Sequence, residues 1–197
     1  MQLTVGTGST WSLRAWICSQ LARIDVEINI IDLTRDDYKA QILQHSGAGL
    51  VPSLTIKNNV IHDSLAISEF FNERANGALY PKLEAERALA RSLCAELHSG
   101  FFALRTQCPF TLSTPLPLDS LDDNINNELS RVESIFASAK LPFMFDDAGA
   151  VDAFYAILAY RLNAYGIKLK GKAGDYQDSL LNWSYLQQAI ALAQTWE

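Results

Sequence analysis

The stretch that decides the fold reads Gly49-Leu50-Val51-Pro52-Ser53-Leu54-Thr55-Ile56, and Asp63-Ser64-Leu65-Ala66-Ile67 follows it after a short turn. A proline in an apolar strand pattern cannot donate to the ladder, so Pro52 is expected at a strand's first residue or on an edge strand. If the Val51-Pro52 bond is cis, the free N–H and C=O of Val51 face outward and can pair with an extended peptide. Asp63-Ser64 opens an amphipathic helix whose unpaired N–H groups can hold a carboxylate. Together these features predict a site for a small, negatively charged peptide.

Composition and charge narrow the class of protein. The chain has 197 residues, of which 49% are hydrophobic, enough for one large or two small domains with a buried core. The net charge of −6, together with the absence of any block of Lys or Arg, disfavours nucleic acid or an anionic membrane as the main partner. The longest apolar runs are too short to span a bilayer, and the N-terminus lacks a signal-peptide pattern. We therefore expect a cytoplasmic protein.

The three cysteines, Cys18, Cys94 and Cys108, are widely spaced along the chain. They form no Cys-x-x-Cys pair and no spacing typical of metal ligands. We therefore expect reduced thiols in the protein interior and no metal site.

Short strand and helix patterns alternate over residues 1–75, which we interpret as the first domain. Strand patterns cover 2–6, 26–31, 53–56 and 60–62, while helical patterns cover 12–24 and 36–44 and a further helix opens at Asp63. The last two strands meet at Lys57-Asn58-Asn59, which is typical of a tight hairpin. This order predicts a small mixed sheet covered by helices.

Only helical patterns follow the linker at residues 76–83, so residues 84–197 are predicted to form an all-helical domain. The predicted helices cover 84–108, 121–136, 152–165 and 179–193. The helix at 152–165 is expected to be central, because one face is apolar and another carries alanines that allow close packing.

Several runs of residues, in the right order, resemble the cytosolic glutathione S-transferase superfamily. They are Ser9-Thr10-Trp11-Ser12-Leu13-Arg14-Ala15-Trp16, Val51-Pro52-Ser53-Leu54, Asp63-Ser64-Leu65-Ala66-Ile67, Ala95-Glu96-Leu97-His98-Ser99-Gly100-Phe101 and Asp152-Ala153-Phe154-Tyr155. The chain looks most similar to the serine-type bacterial and zeta-like members. The resemblance implies a thioredoxin-like domain that binds glutathione as co-substrate, an all-helical second domain and a homodimer. The implied chemistry is attack of the glutathione thiolate on a small electrophile, or thiol-assisted isomerisation.

The residue expected to stabilise the thiolate is Ser9, which aligns with the family's catalytic serine and lies just before the first helix. An ordinary helix N-cap is the alternative role for this serine. Thr10 or Ser12 remains open as the true donor, because a one-residue shift in the turn would exchange them.

Further site residues are expected to bind the rest of the tripeptide. Ser64 would donate to the γ-glutamyl carboxylate, with a helix cap as an alternative or additional role. Asp63 would neutralise the α-amino group, unless it is only a solvated acid at the helix start, and His45 would contact the glycyl end. The region 46–49 lacks the basic residue that the family often has before the Val-Pro pair. The remaining residues expected to bind substrate, either glutathione or the electrophile, are Thr10, Trp11, Leu50, Val51, Pro52 and Arg105.

Other functions compete with a transferase. The dinucleotide fingerprint, the phosphate-binding loop and the nucleophile elbow are absent from the sequence. A disulfide oxidoreductase would need a cysteine near position 9, whereas Cys18 lies inside a helical pattern. The main alternative is a non-catalytic binding or scaffold protein with the same fold.

Overall fold

The computed structural model describes residues 1–116, 118 and 120–196, so residues 117, 119 and 197 of the predicted second domain lie outside the described residues. The described chain divides into two compact units. One contains Met1–Tyr80 together with residues 188–196, and the other contains Pro81–Gln187. The boundary at Tyr80 falls within the linker predicted at 76–83. The second unit ends at Gln187, whereas the prediction extended it to the last residue.

A four-stranded mixed sheet with helices forms the first unit. Its elements are β1 (Gln2–Gly6), α1 (Thr10–Leu21), β2 (Glu27–Ile31), α2 (Tyr38–His45), β3 (Ser53–Ile56), β4 (Asn59–Ile61) and α3 (Ser64–Arg74). The strand order is β2-β1-β3-β4; β1 runs parallel to β2, and the other pairs are antiparallel. Leu3 and Val5 of β1 are fully buried, as expected for an inner strand. The thioredoxin-like prediction is confirmed.

The idea that Pro52 marks an edge strand is wrong. β3 lies inside the sheet, between β1 and β4, and Pro52 is the residue immediately before it. Since Pro52 precedes the first ladder pair, Thr4 with Ser53, its missing N–H costs the sheet no hydrogen bond.

The second unit and the C-terminal segment are helical, as predicted. The helices are α4 (Glu84–Ser99), α5 (Phe102–Gln107), α6 (Asp123–Ala137), α7 (Ala150–Ala164), α8 (Gly171–Leu181) and α9 (Ser184–Gln194). The single helix predicted at 84–108 is divided at Gly100, because Phe101 adopts a left-handed conformation with φ 57°. The helix α8 was missed, because Gly171 and Gly174 weaken its helical pattern.

The buried Asp152 organises the core of the second unit from the first turn of α7. Its Oδ1 accepts hydrogen bonds from the Met144 N–H at 2.8 Å and the Tyr176 hydroxyl at 2.7 Å, and its Oδ2 accepts from the Gly149 N–H at 2.8 Å. Gly149 has no side chain to complete a capping box, as the sequence indicated, but the carboxylate supplies the reciprocal half.

Membrane-spanning helices and metal-binding clusters are both absent from the part of the chain that the structure describes. Within 1–116, 118 and 120–196, no helix is both long and apolar enough to cross a bilayer. Over the same ranges, no group of three or more His, Cys, Asp or Glu side chains could hold a metal ion.

Candidate functional site

Ser9 is the N-cap of α1, so the alternative role foreseen for it is present in the structure. Its backbone is extended, and its Oγ accepts hydrogen bonds from the Ser12 N–H at 3.3 Å and from the Ser12 hydroxyl at 2.9 Å. A hydroxyl oxygen has two acceptor positions, and both are occupied here. The Ser9 hydroxyl hydrogen donates to no described residue. Ser9 therefore combines a capping oxygen with a proton available to an incoming acceptor.

The two neighbouring hydroxyl groups are arranged differently. Ser12 is fully buried; its Oγ accepts from the Gly6 N–H at 3.3 Å and gives its own hydrogen to Ser9. Thr10 is also buried, and its Oγ1 has no partner among the described residues. Ser12 consequently has no hydrogen left for a ligand, whereas Ser9 and Thr10 each have one.

The loop before α1 depends on two glycines. Gly8 has φ +66°, a left-handed conformation that a side chain rarely adopts. Gly6 is packed so closely that an added Cβ would lie 2.6 Å from Leu33 Cδ1 and 2.9 Å from Val51 Cγ2. Gly6 thus allows the end of β1 to lie against the segment that precedes β3.

Trp11, on the first turn of α1, is half-buried next to Arg14 of the same helix. The Arg14 guanidinium lies 5.3 Å from the centroid of the Trp11 ring, within range of a cation–π interaction. The role of Trp11 in binding substrate stays a prediction.

The Val51-Pro52 bond is cis, as the sequence led us to expect. Val51 lies before the first residue of β3, and its N–H and C=O form no hydrogen bond with any described residue. The side chain of Leu50 is 65% exposed beside it. This segment therefore combines main-chain groups that have no described partner with an exposed apolar side chain.

The start of α3 differs from the prediction of open N–H groups. Asp63 is the N-cap, and its Oδ1 accepts hydrogen bonds from the Leu65 N–H at 2.9 Å and the Ala66 N–H at 3.4 Å. The carboxylate of Asp63 thus occupies two of the groups that were expected to bind a ligand carboxylate.

Ser64 retains the donors that Asp63 does not occupy. The residue is fully buried, and its Oγ has no hydrogen-bond partner among the described residues. Its backbone N–H likewise makes no described bond, so both donors belong to one residue at the first position of α3.

His45 is the last residue of α2 and is engaged with the sheet. Its Nε2 lies 3.2 Å from Nδ2 of Asn29 on β2, and the same amide donates to the Thr4 hydroxyl on β1 at 3.3 Å. The structure gives His45 a partner within the protein, and its contact with the glycyl end stays a prediction.

Arg105 lies on the short helix α5 of the second unit. Its Nη1 donates to the Gly100 carbonyl at 3.3 Å, and its guanidinium lies 5.4 Å from the centroid of the Phe102 ring. Burial lowers the pKa of Arg105, and the nearby Glu128 carboxylate opposes that shift. The proposed contact between Arg105 and the electrophile also stays a prediction.

A cleft of ≈ 380 Å³ in the first unit was not foreseen from the sequence. It is lined by Thr7, Gly8, Asp32, Thr34 and Trp196. Thr7 follows β1 and Asp32 follows β2, so the cleft lies at the carboxyl ends of two parallel strands. Ligands commonly bind at this end of α/β sheets, and this rule was the available signal for Asp32. The contribution of Trp196 depends on tertiary folding.

Comparison with known proteins identifies the first unit. Residues 8–74 match the family described as "Glutathione S-transferase, N-terminal domain". A probable maleylacetoacetate isomerase from Caenorhabditis elegans is 32% identical over 93 residues, which cover 47% of this chain and 44% of that protein. The match therefore spans less than half the length of this curated relative.

Solved structures share the fold over the whole chain. A glutathione transferase homolog from Burkholderia, solved with bound glutathione, is 24% identical with a TM-score of 0.74, and the match covers 100% of this chain and 98% of that one. A maleyl pyruvate isomerase, described as a bacterial zeta-class glutathione S-transferase, is 18% identical with a TM-score of 0.75 and covers 98% of each chain. Residues 8–74 thus match a glutathione S-transferase N-terminal domain, and the whole chain shares its fold with solved glutathione S-transferases.

Proposed function

We propose that the chain binds glutathione and activates its thiol for reaction with a small electrophile. The observation that carries this proposal is the arrangement of Ser9, whose oxygen accepts two hydrogen bonds from Ser12 while its hydrogen has no described acceptor. A hydroxyl held in this way has one remaining function, which is to donate. A thiolate sulfur placed before the start of α1 is an acceptor that suits it.

One hydrogen bond and a helix start can together supply the free energy that is needed to lower the thiol pKa. A free thiol has a pKa of about 8.5, so lowering it by about 2 units requires roughly 2.7 kcal/mol of differential stabilisation of the anion. One hydrogen bond to a charged group contributes about 1.5 to 3 kcal/mol, and a helix start adds a smaller favourable amount. The thiolate sulfur then donates an electron pair to the electrophilic carbon, the leaving group departs with its bonding pair, and the thiol proton passes to solvent.

The peptide part of glutathione would be held by two segments of the first unit. The free N–H and C=O of Val51 would pair with the main chain of the tripeptide next to the cis Pro52. The N–H and hydroxyl of Ser64 would donate to the γ-glutamyl carboxylate, and Asp63 would attract the α-amino group. Because Ser64 is fully buried, the carboxylate reaches it only when the side chains that cover it move.

The proposal also covers the type of reaction and the oligomeric state. Transfer of an alkyl or aryl group is the reaction we favour, while the nematode relative's description as an isomerase supports isomerisation as the alternative. We also propose a cytoplasmic homodimer, as is typical of the family.

Calorimetric titration with glutathione tests the binding step through two serines of α3. Ser64→Ala removes a donor without any described partner, so it should weaken binding by roughly 1 to 2 kcal/mol and leave the fold as stable as before. Ser68→Ala is the matched control, because Ser68 Oγ donates to the Ser64 carbonyl at 2.7 Å, and its loss should affect stability alone.

Each outcome of the titration is informative. Saturable binding by the wild-type chain, weakened by Ser64→Ala but not by Ser68→Ala, supports the proposal. Equal affinity of wild type and Ser64→Ala would remove the carboxylate role. If the wild-type chain does not bind glutathione, the non-catalytic binding protein becomes the better description.

A further inference from the structure

Two residues that line the unforeseen cleft come directly before the proposed thiolate donor in the sequence. Thr7 and Gly8 line it, and Ser9 is the next residue. Two other lining residues, Asp32 and Thr34, follow β2, and Trp196 comes from the C-terminal segment of the same unit. A second substrate in this cleft would lie beside the start of α1, where attack by the thiolate is proposed.

Asp32 is held firmly in the cleft by neutral donors. Its Oδ1 accepts from the Thr34 hydroxyl at 2.7 Å, the Thr34 N–H at 2.9 Å and the Thr7 hydroxyl at 3.5 Å. The bonds from Thr34 are the main reason that the pKa of Asp32 is lowered. The carboxylate is therefore ionised at neutral pH, and its orientation is fixed.

The negative charge of Asp32 lacks a dedicated cation. Arg35 contributes a minor attraction, but its Nε is bound to Oδ1 of Asp37 at 2.9 Å. Among the residues that the structure describes, the five that line the cleft include no Lys, Arg or His. An anionic group that enters the cleft would thus meet a carboxylate of the same charge.

Trp196 offers a hydrogen-bond donor and an aromatic ring, whereas Asp32 offers a negative charge. The side chain is 5% exposed, and its Nε1–H has no hydrogen-bond partner among the described residues. Indole N–H groups are donors only, and they usually find an acceptor when buried. A ligand with a neutral acceptor oxygen, such as a nitro or carbonyl group, would satisfy this donor, and an aromatic ligand would pack against the ring.

We propose that this cleft binds the electrophile, and that Asp32 restricts it to neutral or cationic compounds with an acceptor oxygen and excludes those that carry a carboxylate. This inference deepens the proposed function and rests on it, because the cleft matters for catalysis only if Ser9 activates a thiol nearby. It favours group transfer to a neutral electrophile over isomerisation of an organic acid.

The test uses two unreactive probes of nearly equal size, 3,5-dinitrobenzamide and 3,5-dinitrobenzoate, which differ in charge. Equilibrium binding to the full chain is measured by calorimetry, without glutathione. We expect the wild type to prefer the amide, and Asp32→Asn to bind the benzoate about fivefold more tightly with amide affinity unchanged within twofold. Asn keeps the oxygen that accepts from Thr34, so the fold should be retained, which thermal melting checks.

Two further variants test whether the change in affinity comes from groups in the cleft or from a change in the protein's net charge. Asp25→Asn removes the same charge from an exposed carboxylate that precedes β2 and does not line the cleft, so it should leave the ratio of the two affinities unchanged. Trp196→Phe removes the indole N–H but keeps an aromatic ring, and it should weaken binding of the amide severalfold.

The results of these titrations test the charge selection independently of glutathione binding. The charge selection is wrong if Asp32→Asn leaves the affinity ratio unchanged, if Asp25→Asn changes it equally, or if neither probe binds wild type or Asp32→Asn at millimolar concentration. If the selection holds while a parallel titration shows no binding of glutathione, the proposed function fails and the charge-selective cleft stands. If glutathione binds but the ratio does not respond to Asp32→Asn, only the selection fails.

Discussion

The Ser12 hydroxyl donates a hydrogen bond to Ser9 Oγ over 2.9 Å, and the Gly6 N–H donates to Ser12 Oγ over 3.3 Å. The three groups form a chain that leads from the end of β1 to the proposed thiolate donor. Each bond polarises the next one, so Ser12 should make the Ser9 hydroxyl a better donor although Ser12 itself does not reach the ligand.

Ser12→Ala should therefore affect the chemistry more than binding. We expect the pKa of bound glutathione to rise by about half a unit while its affinity changes less than threefold. The variant should also lose about 1 to 2 kcal/mol of stability, because the buried Gly6 N–H loses its acceptor. A pH titration of thiolate absorbance measures the first effect, and chemical denaturation measures the second.

Ser134→Ala is the control for this variant. Ser134 lies on α6 of the second unit, where its Oγ donates to the Ser130 carbonyl at 2.9 Å. If Ser12→Ala loses stability but leaves the thiol pKa at its wild-type value, Ser12 is structural only.

Cys18 should be inert towards alkylation in the folded protein. It is fully buried in α1, and burial raises its pKa to about 12, although Ser68 and Arg14 oppose the shift. At pH 8 only about one thiol in ten thousand would be ionised. Mass spectrometry after treatment with iodoacetamide should find Cys18 unmodified in the native protein and labelled in denaturant. Rapid labelling of native Cys18 would show a reactive thiol and revive the oxidoreductase alternative.

Asp152→Ala should destabilise the second unit strongly. The substitution leaves the Met144 N–H, the Gly149 N–H and the Tyr176 hydroxyl without their acceptor, so we expect a loss of about 3 to 5 kcal/mol. Denaturation monitored by circular dichroism measures this loss. Asp178→Ala, on the exposed face of α8, should change stability by less than about 0.5 kcal/mol. Similar effects of the two substitutions would contradict the role of Asp152.

Local patterns predicted much of the fold. The bounds of β1 and β3 match the structure, because each strand has a short, largely apolar pattern that is followed by residues favouring a turn. The division at Phe101 was not predictable from periodicity, since Leu97 and Leu104 lie seven residues apart on either side of it, which is about two helical turns. The register of the hydrophobic pattern therefore continues through a break in the helix.

The candidate site was predictable where it depends on residues close together in sequence. Ser9 and Ser64 were identified because each lies at a helix start, which the sequence displays directly. That Asp63 would occupy two of the helix's N–H groups was not foreseen, since the sequence shows a capping residue but not which groups it binds. The meeting of Asp32 with Trp196 joins residues more than 160 positions apart, and no local pattern records it.

The central claim is that the Ser9 hydroxyl stabilises the glutathione thiolate, and Ser9→Ala tests it most directly. The variant loses the N-cap of α1, so a stability loss of about 0.5 to 2 kcal/mol is expected whether or not Ser9 acts in catalysis. The pKa of bound glutathione is the discriminating measurement. Thr10→Ala is the parallel variant, because the hydrogen of the buried Thr10 hydroxyl, like that of Ser9, has no described acceptor.

The measurement is a pH titration of thiolate absorbance in the binary complex for wild type, Ser9→Ala and Thr10→Ala, with turnover of 1-chloro-2,4-dinitrobenzene measured alongside. The account predicts that Ser9→Ala raises the thiol pKa by about one unit, equivalent to roughly 1.4 kcal/mol, and lowers turnover about tenfold near neutral pH, with affinity nearly unchanged. Thr10→Ala should titrate like the wild type. A thiol pKa that is the same in wild type and Ser9→Ala, or one that rises only in Thr10→Ala, would contradict the account.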